Sequence, residues 1–560
     1  MTAPSASRRV VPVWLIAETL TVSVVVALVF VKLASVSTGT WRSVFLANGD
    51  SLVLPLLLQS VQRGEPFHWV FSSQTFFFPE FPLYALCGLI VGTPQGGLVL
   101  NAFLNVVLLY VGFRAVAATF APRKRLRQLL ISLSGVVLFL IAALSEFDVK
   151  IVGSGTVEPS RIATGFLMTT YYGGAVLVSL GMLAWLFWLS GRFGKVDVPI
   201  RRVVISGLAV SEVGAGITYS DPLYVLWFVA PFGLSILGLL IARRVTLRLA
   251  LIVAFPQVLG IGLGMLGRVV FPQYVAANYD TYIAGNLAPS AAQVLLGVLV
   301  SWATSPDGIV RLLIVFAPIG LTLGFLLTWI RRRHHSDDSR HPSPAKLFLA
   351  LFIIMSALTL ILGEIVTGQS VTRYLFPLFV FPPLVLLLVS ADGLEARLRG
   401  LSQRTRGAVA VALAATVLVA IGLTAPATAD LADRRSPVDT ACLDGWLNGR
   451  ALNGVGSFWT VRALALYGHQ EGRLVQVVPP SLGVHPWMNN LWLYEGRSFS
   501  YALMGGDVTA PELRTQFGTP AEIVSCSGFQ IYDYSATAGS AQIDERIRVT
   551  LQTVSQQHRY

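Results

Sequence analysis

Long apolar runs recur along this chain, and they constrain its fold more than any other feature. The first follows Arg8 and Arg9 and extends from residue 10 to about residue 34. Ten more lie at residues 98–120, 129–147, 166–190, 203–217, 222–242, 249–270, 308–330, 347–362, 375–390 and 408–424. At about 1.5 Å of rise per residue, each run can cross, or nearly cross, the ~30 Å hydrocarbon core of a bilayer. The sequence therefore predicts a polytopic α-helical membrane protein with about 11 spans.

The charge distribution predicts how these spans are oriented. Although the net charge is +12, the basic residues form short clusters between the apolar runs, which does not indicate nucleic-acid binding. The clusters fall in every second loop, at residues 123–127, 191–202, 242–248, 331–340 and 395–406. By the positive-inside rule, these loops and the N-terminus are cytoplasmic and the C-terminal segment is external. We expect a protein integral to the plasma (cytoplasmic) membrane.

One apolar segment, residues 81–92, is too short to cross. Counting it as a span would also place the basic cluster at residues 123–127 on the wrong face. We therefore predict a re-entrant or juxtamembrane helix within a long first external loop, residues 35–97.

The composition changes near residue 430, where apolar runs give way to short alternating segments and polar turns. This pattern predicts two domains: a multi-span domain at 1–429 and a small external α/β domain at 430–560. Cys442 and Cys526 lie in the second, and the sequence leaves open whether they form a disulfide. Neither a CxxC motif nor a zinc-ligand spacing occurs, so no metal site is predicted.

Asp50 follows the first span in the stretch "SVFLANGDSLVLPLLLQ". It comes directly after Asn-Gly, a turn signal, and before an apolar helical segment. Two readings are open at this point. The carboxylate caps the following helix, or it acts in a reaction at the external face.

Other charged residues also lie near the predicted outer ends of the spans. The acids include Glu80, Glu146, Asp148 and Asp221, and the cations include Lys150, Arg268 and Arg373. An unpaired carboxylate beside an apolar helix is costly, which favours a functional reason for its presence. Arginine offers planar donors to a lipid-linked phosphate, although each arginine alone is equally typical of a side chain that snorkels to the interface.

The stretch "NGDSLVLPLLLQSVQRGEPFHWVFSSQTFFFPEFPLY", residues 48–84, places an acid, an amphipathic helix and an aromatic, proline-rich segment in one external loop. This arrangement resembles the GT-C superfamily of integral membrane glycosyltransferases, which take sugars from polyprenyl-phosphate donors. In that superfamily the first external loop carries an acid near the active site and two juxtamembrane helices. The resemblance is architectural and covers the loop, the multi-span bundle and the external C-terminal domain.

The resemblance implies roles for specific residues. Asp50 would be the general base of an inverting transfer. Arg373 would stabilise the leaving phosphate, and Arg268 or Lys150 would be the alternative residues for this role. Sugar or acceptor contacts would come from the remaining candidates, which are Glu80, Glu146, Asp148, Asp221, Tyr219 and Trp487. Tyr219 also fits an interfacial aromatic belt, and Trp459 and Trp492 fit the packing of the small domain. Because Asp50 is flanked by Gly49 and Ser51 rather than by a second acid, a divalent cation is possible but not favoured, and no cofactor is predicted.

The function predicted is a hexosyl- or pentosyltransferase with a glycan, lipid or protein acceptor of a cell envelope. Two alternatives stay open. A transporter or flippase of lipid-linked sugars would carry polar or discontinuous helices at mid-membrane. A non-catalytic relative that binds envelope glycan would tolerate the loss of Asp50.

Overall fold

The structure is a computed structural model. It describes residues 13–560 apart from 123, 153–155, 191–198, 277–287, 334–341, 369–370, 390–399, 401, 434, 470–473 and 506–509. Parts of the predicted cytoplasmic clusters at 123–127, 191–202, 331–340 and 395–406, and the first twelve residues, therefore lie outside the described residues.

Helices account for most of the described chain. In chain order they are α1 (Val13–Thr38), α2 (Trp41–Leu46), α3 (Val53–Gln62), α4 (Glu80–Val91), α5 (Pro94–Phe120), α6 (Arg125–Ser145), α7 (Gly173–Ser190), α8 (Ile200–Ser220), α9 (Ala230–Ile241), α10 (Leu247–Val270), α11 (Ala288–Thr304), α12 (Pro306–Arg333), α13 (Pro344–Thr367), α14 (Gln403–Ala432), α15 (Thr440–Leu447), α16 (Phe458–Tyr467), α17 (Ala510–Phe517) and α18 (Ala538–His558). Within the described part, nine of them are long and apolar enough to span a membrane: α1, α5, α6, α7, α8, α10, α12, α13 and α14. The prediction of a polytopic helical membrane protein is confirmed.

Two predicted spans are not continuous α-helices. The run at 222–242 begins with a π-helical turn, Val225–Val229, before α9. The run at 375–390 is built from two 3-10 helices, Thr372–Phe379 and Pro382–Leu387. Its three prolines lack the N–H donors that a continuous α-helix needs, which accounts for the irregular backbone. The sequence analysis also missed α11, a 17-residue apolar helix before α12.

The short apolar segment after the first span is α4. Its 12 residues extend over roughly 18 Å at the α-helical rise, too little to cross the hydrocarbon core. It ends at Gly92, which adopts a positive φ of 73°. The helix packs against α5 and α3, as expected for a re-entrant or juxtamembrane element.

The bundle brings helices α8 and α10 into close contact through small residues. A Cβ atom on Gly260 would lie 2.9 Å from the carbonyl oxygen of Ser211, and one on Gly264 would lie 2.7 Å from that of Ala215. Glycine at these positions allows the two backbones to approach, as is typical of membrane helix pairs. The approach places Arg268, in the last turn of α10, beside the end of α8.

The C-terminal region forms a six-stranded mixed sheet. Its strands, together with the short pairs elsewhere, are β1 (Trp69–Val70), β2 (Ile151–Val152), β3 (Thr156–Val157), β4 (Gly454–Gly456), β5 (Leu474–Val478), β6 (Gly483–Val484), β7 (Asn489–Asn490), β8 (Tyr501–Met504), β9 (Glu522–Cys526) and β10 (Phe529–Asp533). The order is β6-β5-β4-β8-β10-β9, with β4 parallel to both of its neighbours. Cys442 and Cys526 form a disulfide that joins α15 to the edge strand β9.

Contacts between the first loop and the C-terminal region fix their relative position. Strand β1 pairs antiparallel with β7, with Trp69 opposite Asn490 and Val70 opposite Asn489. The boundary predicted at residue 430 falls inside α14, which continues to Ala432.

Candidate active site

A cavity of about 470 Å³ lies between the ends of the membrane helices and the C-terminal region. Its lining on the membrane side includes Trp41, Asp50, Ser72, Gln74, Glu158, Arg161, Tyr171, Tyr172 and Arg373. Its lining on the C-terminal side includes Phe458, Trp459, His485, Trp487 and Met488. The volume is within the range of sites that hold small ligands.

Asp50 and Arg373, singled out separately in the sequence, meet on the wall of this cavity. The guanidinium Nη1 lies 3.1 Å from the carboxylate Oδ2, although the residues are 323 positions apart. The side chain of Asp50 is 12% exposed and that of Arg373 is 34% exposed. The pair therefore combines a negative and a positive group at a surface that a ligand can reach.

The backbone around Asp50 is held independently of this ion pair. We call residues 47–52 the Asp50 turn. The N–H of Asp50 donates to Asn48 Oδ1 at 3.0 Å, and its carbonyl accepts from Thr170 Oγ1 at 2.8 Å. The next helix, α3, has Leu52 at its N-cap and no side-chain cap hydrogen bond. The reading of Asp50 as a cap of that helix is therefore wrong.

The guanidinium of Arg373 lies among aromatic rings. Its Cζ is 5.3 Å from the ring centre of Tyr171 and 5.7 Å from that of Tyr172, distances typical of cation–π contacts. Within the described part of the chain, Nε of Arg373 is buried without an acceptor. A buried unpaired donor is costly, and an anion bound beside it would remove that cost.

Glu80 and Asp221 form a second acidic pair, which does not line the cavity. Glu80 Oε1 accepts from the N–H of Gly174 at 3.0 Å, and Asp221 Oδ1 accepts from the N–H of Leu223 at 3.2 Å. The other oxygens, Glu80 Oε2 and Asp221 Oδ2, have no partner among the described residues. Burial raises the pKa of Asp221 to about 7, and burial together with the nearby Asp221 charge raises the pKa of Glu80 to about 8.

Glu146, Asp148 and Lys150 lie away from the cavity lining. The Glu146 carboxylate accepts three backbone hydrogen bonds, of 2.8, 3.0 and 2.7 Å, from the N–H groups of residues 162–164. It thereby holds the start of the 3-10 helix Ala163–Leu167, so its oxygens are occupied by the protein itself. Asp148 and Lys150 are exposed.

Arg268 and Tyr219 do not line the cavity but contact the segment next to it. Arg268 donates to the carbonyl of Tyr219 at 2.5 Å and to that of Ser73 at 2.6 Å. The ring of Tyr219 is half-buried and stacks on Phe77 with centroids 6.1 Å apart. Arg268 therefore holds in place the segment that contains the cavity-lining residues Ser72 and Gln74, whereas the Tyr219 ring packs on Phe77.

The C-terminal side of the cavity is aromatic. We call Phe458, Trp459, His485 and Trp487 the aromatic wall. Trp487 lines the cavity, and Trp459, which the sequence assigned to packing, lines it as well. Burial, with the nearby Arg462 charge, lowers the pKa of His485 to about 4, so its imidazole is neutral at pH 7. Flat rings beside polar groups are suited to carbohydrate.

Arg462 is a buried arginine beside the cavity that sequence reasoning did not single out. It lies on α16 and is 3% exposed, and its guanidinium donates to the side chain of Gln476 and to the carbonyls of Gly49 and Met488. Burial lowers its pKa to about 9. An arginine inside the short apolar segment "FWTVRALALY" was the available signal, because a buried charge needs specific partners.

Arg161 is a second cation at the cavity. It donates to Glu158 Oε1 at 2.8 Å and to Asp307 Oδ2 at 2.6 Å. Asp307 also accepts from the buried Arg311 at 2.9 Å. The charge of Arg161 is thus shared with two carboxylates, in contrast to that of Arg373.

Among the residues that the structure describes, no group of three or more His, Cys, Asp or Glu side chains could hold a metal ion.

Comparison with protein-family models and with curated protein sequences finds no match. Comparison with solved structures finds ArnT from Cupriavidus metallidurans in the apo state, at 13% identity over 93% of this chain and 98% of that chain, with a TM-score of 0.50. The same protein bound to undecaprenyl phosphate has 13% identity, the same coverage and a TM-score of 0.48. The Archaeoglobus fulgidus oligosaccharyltransferase, in a complex with Zn and sulfate, has 15% identity over 92% of this chain and 73% of that chain, with a TM-score of 0.41.

At this level of identity the likeness to apo ArnT concerns the fold. It extends over nearly the whole of both chains, and it therefore includes the helix bundle and the C-terminal sheet region. The chain is an integral membrane protein that shares the fold of apo ArnT, in agreement with the GT-C architecture expected from the sequence resemblance.

Proposed function

We propose that this protein is a glycosyltransferase that moves a sugar from a polyprenyl-phosphate donor to a hydroxyl group of a cell-envelope acceptor. The observation that carries the proposal is the Asp50–Arg373 pair on the wall of a ligand-sized cavity. The fold fits the GT-C resemblance, and ArnT itself has been crystallised with undecaprenyl phosphate. The reaction would take place at the external face of the plasma membrane, with the N-terminus in the cytoplasm.

Asp50 would act as the general base. The acceptor oxygen attacks the anomeric carbon and forms the new C–O bond, while its proton passes to the Asp50 carboxylate. The bond between the anomeric carbon and the donor phosphate breaks, and its electron pair stays on the phosphate oxygen. One direct displacement inverts the configuration at the anomeric carbon and needs only one positioned carboxylate.

Arg373 would orient the base and stabilise the leaving group. Its Nη1 holds the Asp50 carboxylate, while Nε lacks an acceptor within the described structure. A planar guanidinium presents several donors in a fixed fork, so one arginine can contact both the carboxylate and a phosphate oxygen. The Arg373 guanidinium would then donate a hydrogen bond to the phosphate oxygen as negative charge develops on it, without having to reorient.

The aromatic wall would receive the acceptor. Trp487 and Trp459 present partly buried rings to the cavity opposite the membrane-side residues. Sugar rings stack on such faces, which supports a glycan or a glycosylated lipid or protein as acceptor. We assign the transferred group to the hexoses or pentoses.

The other candidates would support this site without touching the reacting atoms. Glu80, Asp221, Glu146 and Arg268 bind backbone groups of neighbouring loops. Asp148, Lys150 and Tyr219 lie outside the cavity lining.

The test is transfer of a labelled sugar from a panel of polyprenyl-phosphate sugars by the purified full-length protein. Native protein is compared with Asp50→Asn, which keeps the size and polarity of the side chain but removes the base. Glu545→Gln, which changes an exposed acid on α18, is the matched control. We expect transfer by native and control protein, and a strong loss in Asp50→Asn with donor binding intact.

Two results would overturn the proposal. Equal transfer by native protein and Asp50→Asn would remove Asp50 from the reaction. Donor binding or donor movement across liposome membranes, without any transfer by native protein, would favour the transporter or glycan-binding alternatives.

A further inference from the structure

One face of helix α16 lies directly on the Asp50 turn. A Cβ atom built on Gly49 would be 2.7 Å from Cδ1 of the Phe458 ring, so glycine is required there by close approach. Phe458 begins α16, and Arg462 follows one turn later with its guanidinium 4.5 Å from the same ring. The C-terminal region therefore contacts the backbone immediately before the proposed base.

Arg462 joins this turn to the C-terminal sheet. Its Nη1 donates to the carbonyl of Gly49 at 3.4 Å, and its Nε donates to Gln476 Oε1, on β5, at 3.1 Å. Its Nη2 donates to the carbonyl of Met488. Asp50 attracts the Arg462 charge electrostatically, and no ion pair between Arg462 and a carboxylate occurs among the described residues.

Gln476 extends the same network to the aromatic wall. Its amide Nε2 donates to the carbonyl of His485 at 3.0 Å and to that of Trp487 at 2.5 Å. Together, Arg462 and Gln476 bind three carbonyls of the segment at 485–488 and one carbonyl of the Asp50 turn. Both sides of the cavity are thus tied to one buried guanidinium.

We propose that Arg462, oriented by Gln476, is a positioning residue that sets the distance between Asp50 and the aromatic wall. The fork of a guanidinium can reach Gly49, Gln476 and Met488 at once, which a single ammonium cannot do. The C-terminal region would therefore complete the site by placing the base as well as by receiving the acceptor. The kinetic part of this inference rests on the proposed transferase function.

The kinetic test compares native protein with Arg462→Met and Arg462→Lys. Arg548→Lys, at an exposed arginine on α18, is the control. For Arg462→Met we expect kcat to fall by about 10- to 100-fold, because misplacing a catalytic group by about an ångström has such an effect, with the KM for the donor within about twofold of native. Arg462→Lys should recover part of the rate, and the control should match native protein.

A second measurement does not depend on activity. Hydrogen–deuterium exchange of the peptide spanning residues 46–54 should be faster in Arg462→Met than in native protein or Arg548→Lys. Gly49→Ala, which leaves Arg462 intact but pushes against Phe458, should also accelerate exchange there and lower kcat. Thermal unfolding of each variant shows whether the folded fraction is preserved.

Native kcat in Arg462→Met would overturn the inference, as would unchanged exchange at residues 46–54. A loss of rate accounted for entirely by a smaller folded fraction, with KM and kcat of the folded protein unchanged, would also overturn it. If native protein transfers no sugar, the proposed function fails while the exchange measurement still decides the inference.

Discussion

Two pairs of charged residues show how similar sequence signals acquire different roles in this fold. Asp50 pairs with Arg373 at 3.1 Å on the wall of the cavity. Glu80 and Asp221 are buried beside each other, hydrogen-bonded to backbone N–H groups and outside the cavity lining. All three acids lie near the ends of apolar segments in the sequence. Among the described residues, Asp50 differs from the other two acids in its access to a ligand and in its ion pair with an arginine.

The difference also sets the charge of each pair. The guanidinium of Arg373 lies 3.1 Å from the Asp50 carboxylate, and a general base accepts its proton through such a carboxylate. Burial of Glu80 and Asp221 favours their neutral acids and raises both pKa values. The first pair is suited to accept a proton from a substrate, whereas the second is suited to hold loops together.

The largest expected effect comes from exchanging one acid of each pair for its amide. We expect Asp50→Asn to lower kcat by about 10²- to 10⁴-fold, because a general base contributes that much. Asp221→Asn should lower kcat by less than about tenfold, since the neutral acid and the amide have similar shape and polarity. Steady-state transfer rates at saturating donor measure both. Equal decreases in kcat in the two variants would contradict the assignment of a catalytic role to Asp50 and a structural role to Asp221.

A second effect concerns the cation. We expect Arg373→Lys to lower kcat by about 10²-fold, because an ammonium cannot contact the carboxylate and a phosphate oxygen in the same planar geometry. Arg548→Lys is the matched control, and its rate should equal that of native protein. The transfer rates of Arg373→Lys and Arg548→Lys at saturating donor measure this effect. A native rate in Arg373→Lys would mean that the fork of the guanidinium is dispensable.

The third effect is a loss of stability as pH rises from about 4 to about 8. Glu80 and Asp221 have raised pKa values in the folded state, so the folded state binds more protons than the unfolded chain between about pH 4 and pH 8. Their contribution is fully present below about pH 4 and is lost as pH rises to 8. We expect a decrease on the order of a few kcal/mol between pH 5 and pH 8.

Thermal unfolding in detergent at several pH values measures this dependence. Asp221→Asn should flatten it. A curve for Asp221→Asn that follows native protein would show that these carboxyls are not the titrating groups.

The smallest effect lies on the acidic side and concerns His485. Because its pKa is lowered to about 4 by burial, the unfolded chain binds more protons than the folded state between about pH 4 and pH 6.5. Stability should therefore fall by about 1–3 kcal/mol as pH decreases through this window. His485→Gln should lose the fall in stability between pH 6.5 and pH 4 and keep the pH dependence that Glu80 and Asp221 cause. Identical curves for the two proteins would contradict the assignment.

Much of the fold follows from local sequence. Apolar length predicted the membrane helices, and the short run at 81–92 predicted a helix that does not cross. The irregular segment at 372–387 was harder, because apolar composition hides the effect of its prolines on the backbone. Helix α11 was missed because its 17 residues lie in a stretch read as loop.

The site was only partly predictable for a physical reason. The sequence singled out Asp50, Arg373 and Trp487 individually. Their common position at the cavity depends on the tertiary fold, because Asp50 and Arg373, which form the ion pair, are 323 positions apart in the chain. Glu146 resembled a substrate-binding acid until its oxygens were seen to bind residues 162–164. Arg462 escaped notice because its partners are mostly backbone carbonyls, which carry no sequence signal.

The most direct test of the account is the anomeric configuration of the product formed from a donor of known configuration, determined by NMR. If Asp50 acts as a single general base, direct displacement should invert the configuration. Retention would contradict the account, because it requires a carboxylate to act as a nucleophile on the anomeric carbon instead of as a general base. We expect native protein to form a product of inverted configuration. We expect Asp50→Asn to form far less product.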